Sequence, residues 1–178
     1  MRVIGLQHRE DIERFFEEIR NISRTAFEND GTCVPVAVFL LDEGVRVLPL
    51  QEALQDKDRA SALLNALIDE LRPLAFVLVV EAWIAMADWE SGHGEDLNEK
   101  YRGSLTEADA DGKRTPKEGV REVVLQQCSS VAGENFSLVA EIVRPDQGKP
   151  VLRPWERMDN EGAEGRLVFN VVPLTERQ

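Results

Sequence analysis

Histidine and cysteine are scarce in this chain, two of each, and tyrosine occurs once. Cys33 and Cys128 are too few and too far apart for a disulfide framework or a structural zinc site. They read as buried free thiols of a reducing compartment. Clustered positive charge is also missing. Lys and Arg number 21 against 33 Asp and Glu, a formal net charge of −12. Phosphate backbones and anionic headgroups need grouped cations, so no nucleic acid and no membrane is expected as a partner. The longest apolar run is about a dozen residues, short of a bilayer span. The N-terminus, MRVIGLQHRE, has no signal-peptide apolar region. These absences lead to the expectation of a cytoplasmic protein. No G-x-G-x-x-G, no G-x-x-x-x-G-K-[ST] and no G-x-S-x-G is present, so no cofactor is expected.

What the chain does have is the stretch 74–86, LAFVLVVEAWIAM. Phe76, Leu78, Val80, Ala82, Ile84 and Met86 fall on one side of a strand; Val77, Val79, Glu81 and Trp83 fall on the other. A strand apolar on both faces belongs in the middle of a covered sheet. Glu81 then occupies a position where a charge is costly unless paired or hydrogen-bonded.

Around this strand the pattern predicts an α+β domain. Ile12, Phe15, Phe16, Ile19, Ile22 and Phe27 predict an amphipathic helix over about 8–28, ended by Asn29-Asp30-Gly31. Val34–Leu41 and Val45–Leu50 predict a hairpin turning at Asp42-Glu43-Gly44, with Pro49 ending the second strand or placing it at an edge. Ala60, Leu63, Leu64, Leu67, Ile68 and Leu71 predict a second helix, capped by Asp56 or Asp58 and stopped by Pro73. Strands follow over Val120–Ser129, Phe136–Arg144 and Leu167–Val172. Residues 1–178 are thus read as one domain: a mostly antiparallel sheet of about five or six strands, two main helices on one face, and long loops at 87–119 and 145–165. Strict up-and-down alternation would send the turn 42–44 and both long loops to one end of the sheet, the default binding end.

Three groups of residues carry possible chemistry. Glu81 and Glu141 interrupt apolar strands and would form an acid/base pair if neighbours, with Gln126 or Gln127 close by. Trp83 beside Glu81, and Trp155 in RPWER, are candidate interface anchors. His93, in a Gly-His-Gly context amid carboxylates, is a candidate general base. The segment from Glu107 through Asp109, Asp111 and Gly112 to Glu118 resembles an EF-hand calcium loop over twelve residues. It departs from that pattern: Glu replaces Asp at position one, Arg114 stands at position eight and Pro116 at position ten. Those departures favour a solvated acidic loop.

The expected function is a non-catalytic protein-interaction or assembly module. It would self-associate, as a dimer, through the Glu81/Trp83 face, or bind another protein through the loop end. The competing expectation is a small-molecule hydrolase-type enzyme using carboxylates and His93, with or without a divalent metal.

Overall fold

A computed structural model of the chain describes residues 6–85, 104–108, 110–112 and 114–159. His93, Asp109, Met86 and the strand expected over 167–172 lie outside the described residues.

Helix α1 spans Leu6–Asp30. It ends where Gly31 adopts φ +71 and its N–H donates to the Phe27 carbonyl at 2.7 Å, the left-handed stop that glycine supplies. Ile12, Phe15, Phe16 and Phe27 are buried, but Ile22 is 63% exposed. At about 100° per residue, Ile22 lies just outside the arc from Phe15 to Phe27. Ile12 falls at the centre of that arc, and beside it Ser23 is buried and donates from Oγ to the Ile19 carbonyl at 2.8 Å. The predicted stripe therefore holds apart from Ile22.

Strands β1 (Val36–Leu41) and β2 (Gly44–Pro49) form a hairpin closed at Leu41 and Gly44. Gly44 takes the positive φ that the turn needs, +137. A 3₁₀ turn at Ala53–Gln55 leads into α2 (Lys57–Leu71). Of the two candidate caps, Asp56 does the work, accepting from the N–H groups of Asp58 and Arg59. Arg72, in the left-handed region, ends the helix just before Pro73. Strand β3 (Ala75–Ala85) follows. The short strands β4 (Thr106–Ala108) and β5 (Arg114–Pro116) form a separate hairpin within what the sequence suggests is a loop. Then come β6 (Val120–Ser130), β7 (Asn135–Val143), β8 (Val151–Leu152) and β9 (Glu156–Asp159).

The main sheet runs β2-β1-β3-β6-β7, with β8 and β9 both on the outer side of β7. Every pairing is antiparallel. The chain is therefore an α+β protein with a mostly antiparallel sheet, as its pattern predicts; β8 and β9 bring the sheet to seven strands.

Register fixes what each face carries. Ala75, Val77, Val79 and Glu81 align with Leu40, Val38 and Val36 of β1 and with Ser130, Cys128, Gln126 and Val124 of β6. This is the α1 face: Phe16 packs edge-on against Phe136, and Gln126 donates from Nε2 to the Ile19 carbonyl. The second face is closed as well. Phe39, Phe76, Leu78, Val123 and Val139 are each at most 1% exposed. Strands β2 and β3 are parallel across β1, and α2 joins them. Such crossovers are right-handed. With this register, that hand lays α2 on the face opposite α1, where Leu48 and Leu50 also point, so the two helices do not share the one face expected for them. Ala60, Leu64 and Ile68 are its buried stripe.

The helix α2 also changes which loops share an end. It carries the chain back along the sheet, so β3 runs parallel to β2 and strict alternation fails. Leu40 pairs with Ala75, and Ala75 with Ser130. The turn at Asp42-Glu43 therefore lies at the same end as the tight β6–β7 turn. The exits of β3 and β7 lie at the other end. The single loop-rich end expected from the sequence is split between two.

Candidate functional site

The carboxylate that the sequence singles out is held from three sides. Glu81 accepts from Thr32 Oγ1 at 2.9 Å and from the Cys33 backbone N–H through the same oxygen. Its second oxygen lies 3.5 Å from an Arg144 guanidinium nitrogen. Arg144 in turn grips Glu122 with two nitrogens, at 2.8–3.2 Å, the bidentate geometry that makes such pairs directional. The carboxylate side chains are 25% and 24% exposed. Glu81 thus ties the segment between α1 and β1 to the centre of the sheet, and Arg144 links it to the ends of β6 and β7. Burial first, and the Glu81 charge second, push the Cys33 thiol up to about 11. Cys33 is therefore a poor nucleophile near neutral pH. Trp83 lies two residues on from Glu81, on the same face and half-buried.

Glu141 is not part of this group. It pairs with Val123 in register, whereas Glu81 pairs with Val124. Side chains alternate along a strand, so Glu81 and Glu141 point to opposite faces with β6 between their strands. They do not form an acid/base pair. Glu141 instead lies 3.5 Å from Arg153 Nε, and its carbonyl accepts from the Arg153 N–H. Gln126 is buried under α1 and Gln127 faces the other way, beside Ser137. Trp155 packs against the core, with the Arg24 guanidinium 5.8 Å from its ring centroid. It pins its own segment.

The EF-hand-like stretch folds as a β-hairpin. Glu107 faces Thr115 across it, Asp111 and Gly112 lie at the tip, and Glu118 lies past the base, where Lys117 N–H meets the Leu105 carbonyl. Asp111 and Glu118 are at opposite ends of the hairpin. Among the described residues no group of three or more His, Cys, Asp or Glu side chains is placed to hold a metal. No described helix is long and apolar enough to cross a membrane.

Among the described residues β2 is an edge strand of the sheet. Leu50 N–H donates to the Pro35 carbonyl. Even-numbered residues of β2 therefore bond to β1, and Val45 and Val47 turn their N–H and C=O outward. Their side chains, on the α1 face, are 54% and 60% exposed. An open cavity of about 550 Å³ lies alongside, between β2 and the first half of α1, with Phe15, Leu40 and Val45 among its apolar walls and Asp11, Glu18 and Asp42 among its acids. At the other margin of the sheet, β8 and β9 cover β7, and Arg157 of β9 stacks on Phe136 at 3.9 Å.

The sequence points to β2 through Pro49 but gives no sign that its outer side stays open. Arg144 was readable in principle. The β6–β7 hairpin register puts residue 144 diagonal to Glu122, which is within reach of a long side chain.

Compared with known protein families, curated proteins and solved structures, the chain matches none.

Proposed function

We propose that the chain is a non-catalytic protein-interaction or assembly module that takes its partner on the free edge β2. The observation that carries this reading is the asymmetry of the sheet. One margin is covered by β8 and β9, while the other leaves two exposed valines and their backbone groups unpaired among the described residues. A free, apolar edge is a ready template for strand addition. The edge is the better supported surface than the Glu81/Trp83 face, because Glu81 is already engaged by Thr32, Cys33 and Arg144. A cytoplasmic setting suits two unpaired thiols. The hydrolase-type reading has less support, because its two carboxylates point apart.

The test is a capture experiment with tagged wild-type protein and Val47→Pro. Proline removes an outward N–H without touching the bonds to β1. The wild type is expected to retain partners, copies of itself included, that the variant loses. The same partners retained by both proteins would end this reading.

A further inference from the structure

The occupant of the edge can be argued from its charge and its backbone. Strand β2 has no carboxylate of its own: Gly44–Pro49 reads GVRVLP, with one arginine, in a chain of net charge −12. Just before it, the turn carries Asp42 and Glu43. Glu43 sits 3.4 Å from Arg46. The hairpin thus presents negative charge at its tip and positive charge a few residues along. An antiparallel neighbour with the same sequence sets each charge beside its opposite.

We propose that β2 pairs antiparallel with β2 of a second copy of this chain, with Val45 facing Val45, to give a dimer with one continuous sheet. This deepens the module reading and rests on it. Only registers that align odd-numbered residues join the outward N–H and C=O groups of Val45 and Val47. Centring on Arg46 would put two guanidinium groups in a close, non-hydrogen-bonded pair, and like charges directly opposite are destabilising. Centring on Val47 would oppose Val45 to Pro49, which has no N–H to return. Centring on Val45 sets Arg46 opposite Gly44 of the second copy and beside its Asp42-Glu43 turn. The arrangement is also closed. Each copy uses its open edge on a two-fold axis, and among the described residues the other margin offers only the two-residue β8 and the four-residue β9. Growth stops at the dimer.

Sedimentation velocity over a roughly hundredfold concentration range reads the association directly. The wild type is expected to rise from monomer towards dimer, and Val47→Pro to stay monomeric. If Val47→Pro lowers the Tm, Val47→Lys serves in its place. Arg46→Glu and Glu43→Lys should each weaken association, and an equimolar mixture of the two should restore it, because the contact between positions 46 and 43 again joins opposite charges in both directions. A wild type that stays monomeric throughout, a Val47 variant that associates normally, or a mixture no better than its components would each overturn the pairing. A monomeric wild type whose captured partners are still lost in Val47→Pro would overturn the pairing alone and leave the module reading intact.

Discussion

Strands β2 and β3 flank β1 on either side, run parallel to each other and are both written mostly in aliphatic residues. Their environments are opposite. The first six residues of β3, Ala75–Val80, are all buried, while β2 has a single half-buried residue, Leu48. Local sequence sets the strand; place in the sheet sets the burial. β3 has a ladder on both sides and cover on both faces. Among the described residues β2 has a ladder on one side only, and Val45 and Val47 are exposed.

The largest effect expected from this contrast is in the core. Phe76, fully buried and packed on Phe39 with ring centroids 5.2 Å apart, should cost about 3–5 kcal/mol on truncation to alanine. Val47→Ala should stay within about 0.5 kcal/mol, as exposed substitutions do. Urea unfolding of both variants checks the comparison. Equal losses would mean that β2 is covered in solution, which the dimer would accomplish, so the measurement belongs at low protein concentration.

Much of this contrast was legible beforehand. The run around Val77 is apolar at both parities, and that places it centrally. Gly31, Asp56, Pro73 and Gly44 each mark a boundary that the backbone confirms. Long-range consequences were not legible. Whether a helix returns the chain along the sheet decides strand direction, and α2 reverses the expected ends. Parity across a ladder decides faces: a one-residue offset between Glu81 and Glu141 separates two carboxylates that look equivalent in sequence. The hairpin at Thr106–Pro116 was hidden because its strands are three residues each, too short to set a period.

Those two carboxylates sharpen the comparison at intermediate magnitude. Glu81 accepts from a backbone N–H and a hydroxyl as well as meeting Arg144. Among the described residues the Glu141 carboxylate meets the side chain of Arg153, which is 61% exposed. Glu81→Ala should therefore cost about 1–3 kcal/mol, the loss of hydrogen bonds to a charged acceptor. Glu141→Ala should cost less than about 1 kcal/mol, as solvent-exposed ion pairs do. Glu81→Gln keeps an acceptor for Thr32 and Cys33 and should fall between the two. Thermal melts of the three variants give the order, and a Glu141 loss equal to that of Glu81 would contradict it.

The smallest effect separates the thiols by depth. Burial is the larger cause at both, raising Cys33 to about 11 and Cys128 to about 12 from an ordinary 9.0. Glu81 adds to the shift at Cys33, and Glu134 adds to it at Cys128, partly offset by Arg157 and Arg20. A thiol that holds its proton more tightly when folded contributes stability that is complete below pH 9.0 and is lost as pH rises towards the folded value. Stability should accordingly decline between pH 9.0 and about 11. A Cys33→Ser/Cys128→Ser variant should show a shallower decline. Alkylation at pH 8 in native buffer should modify half-buried Cys33 slowly and buried Cys128 only on unfolding. Glu81→Gln should speed the Cys33 reaction a few-fold and leave Cys128 unchanged, because it removes the lesser of the two causes and leaves the burial in place. Faster reaction at Cys128 in that variant would mean that Glu81 holds the sheet together more broadly than its three partners imply.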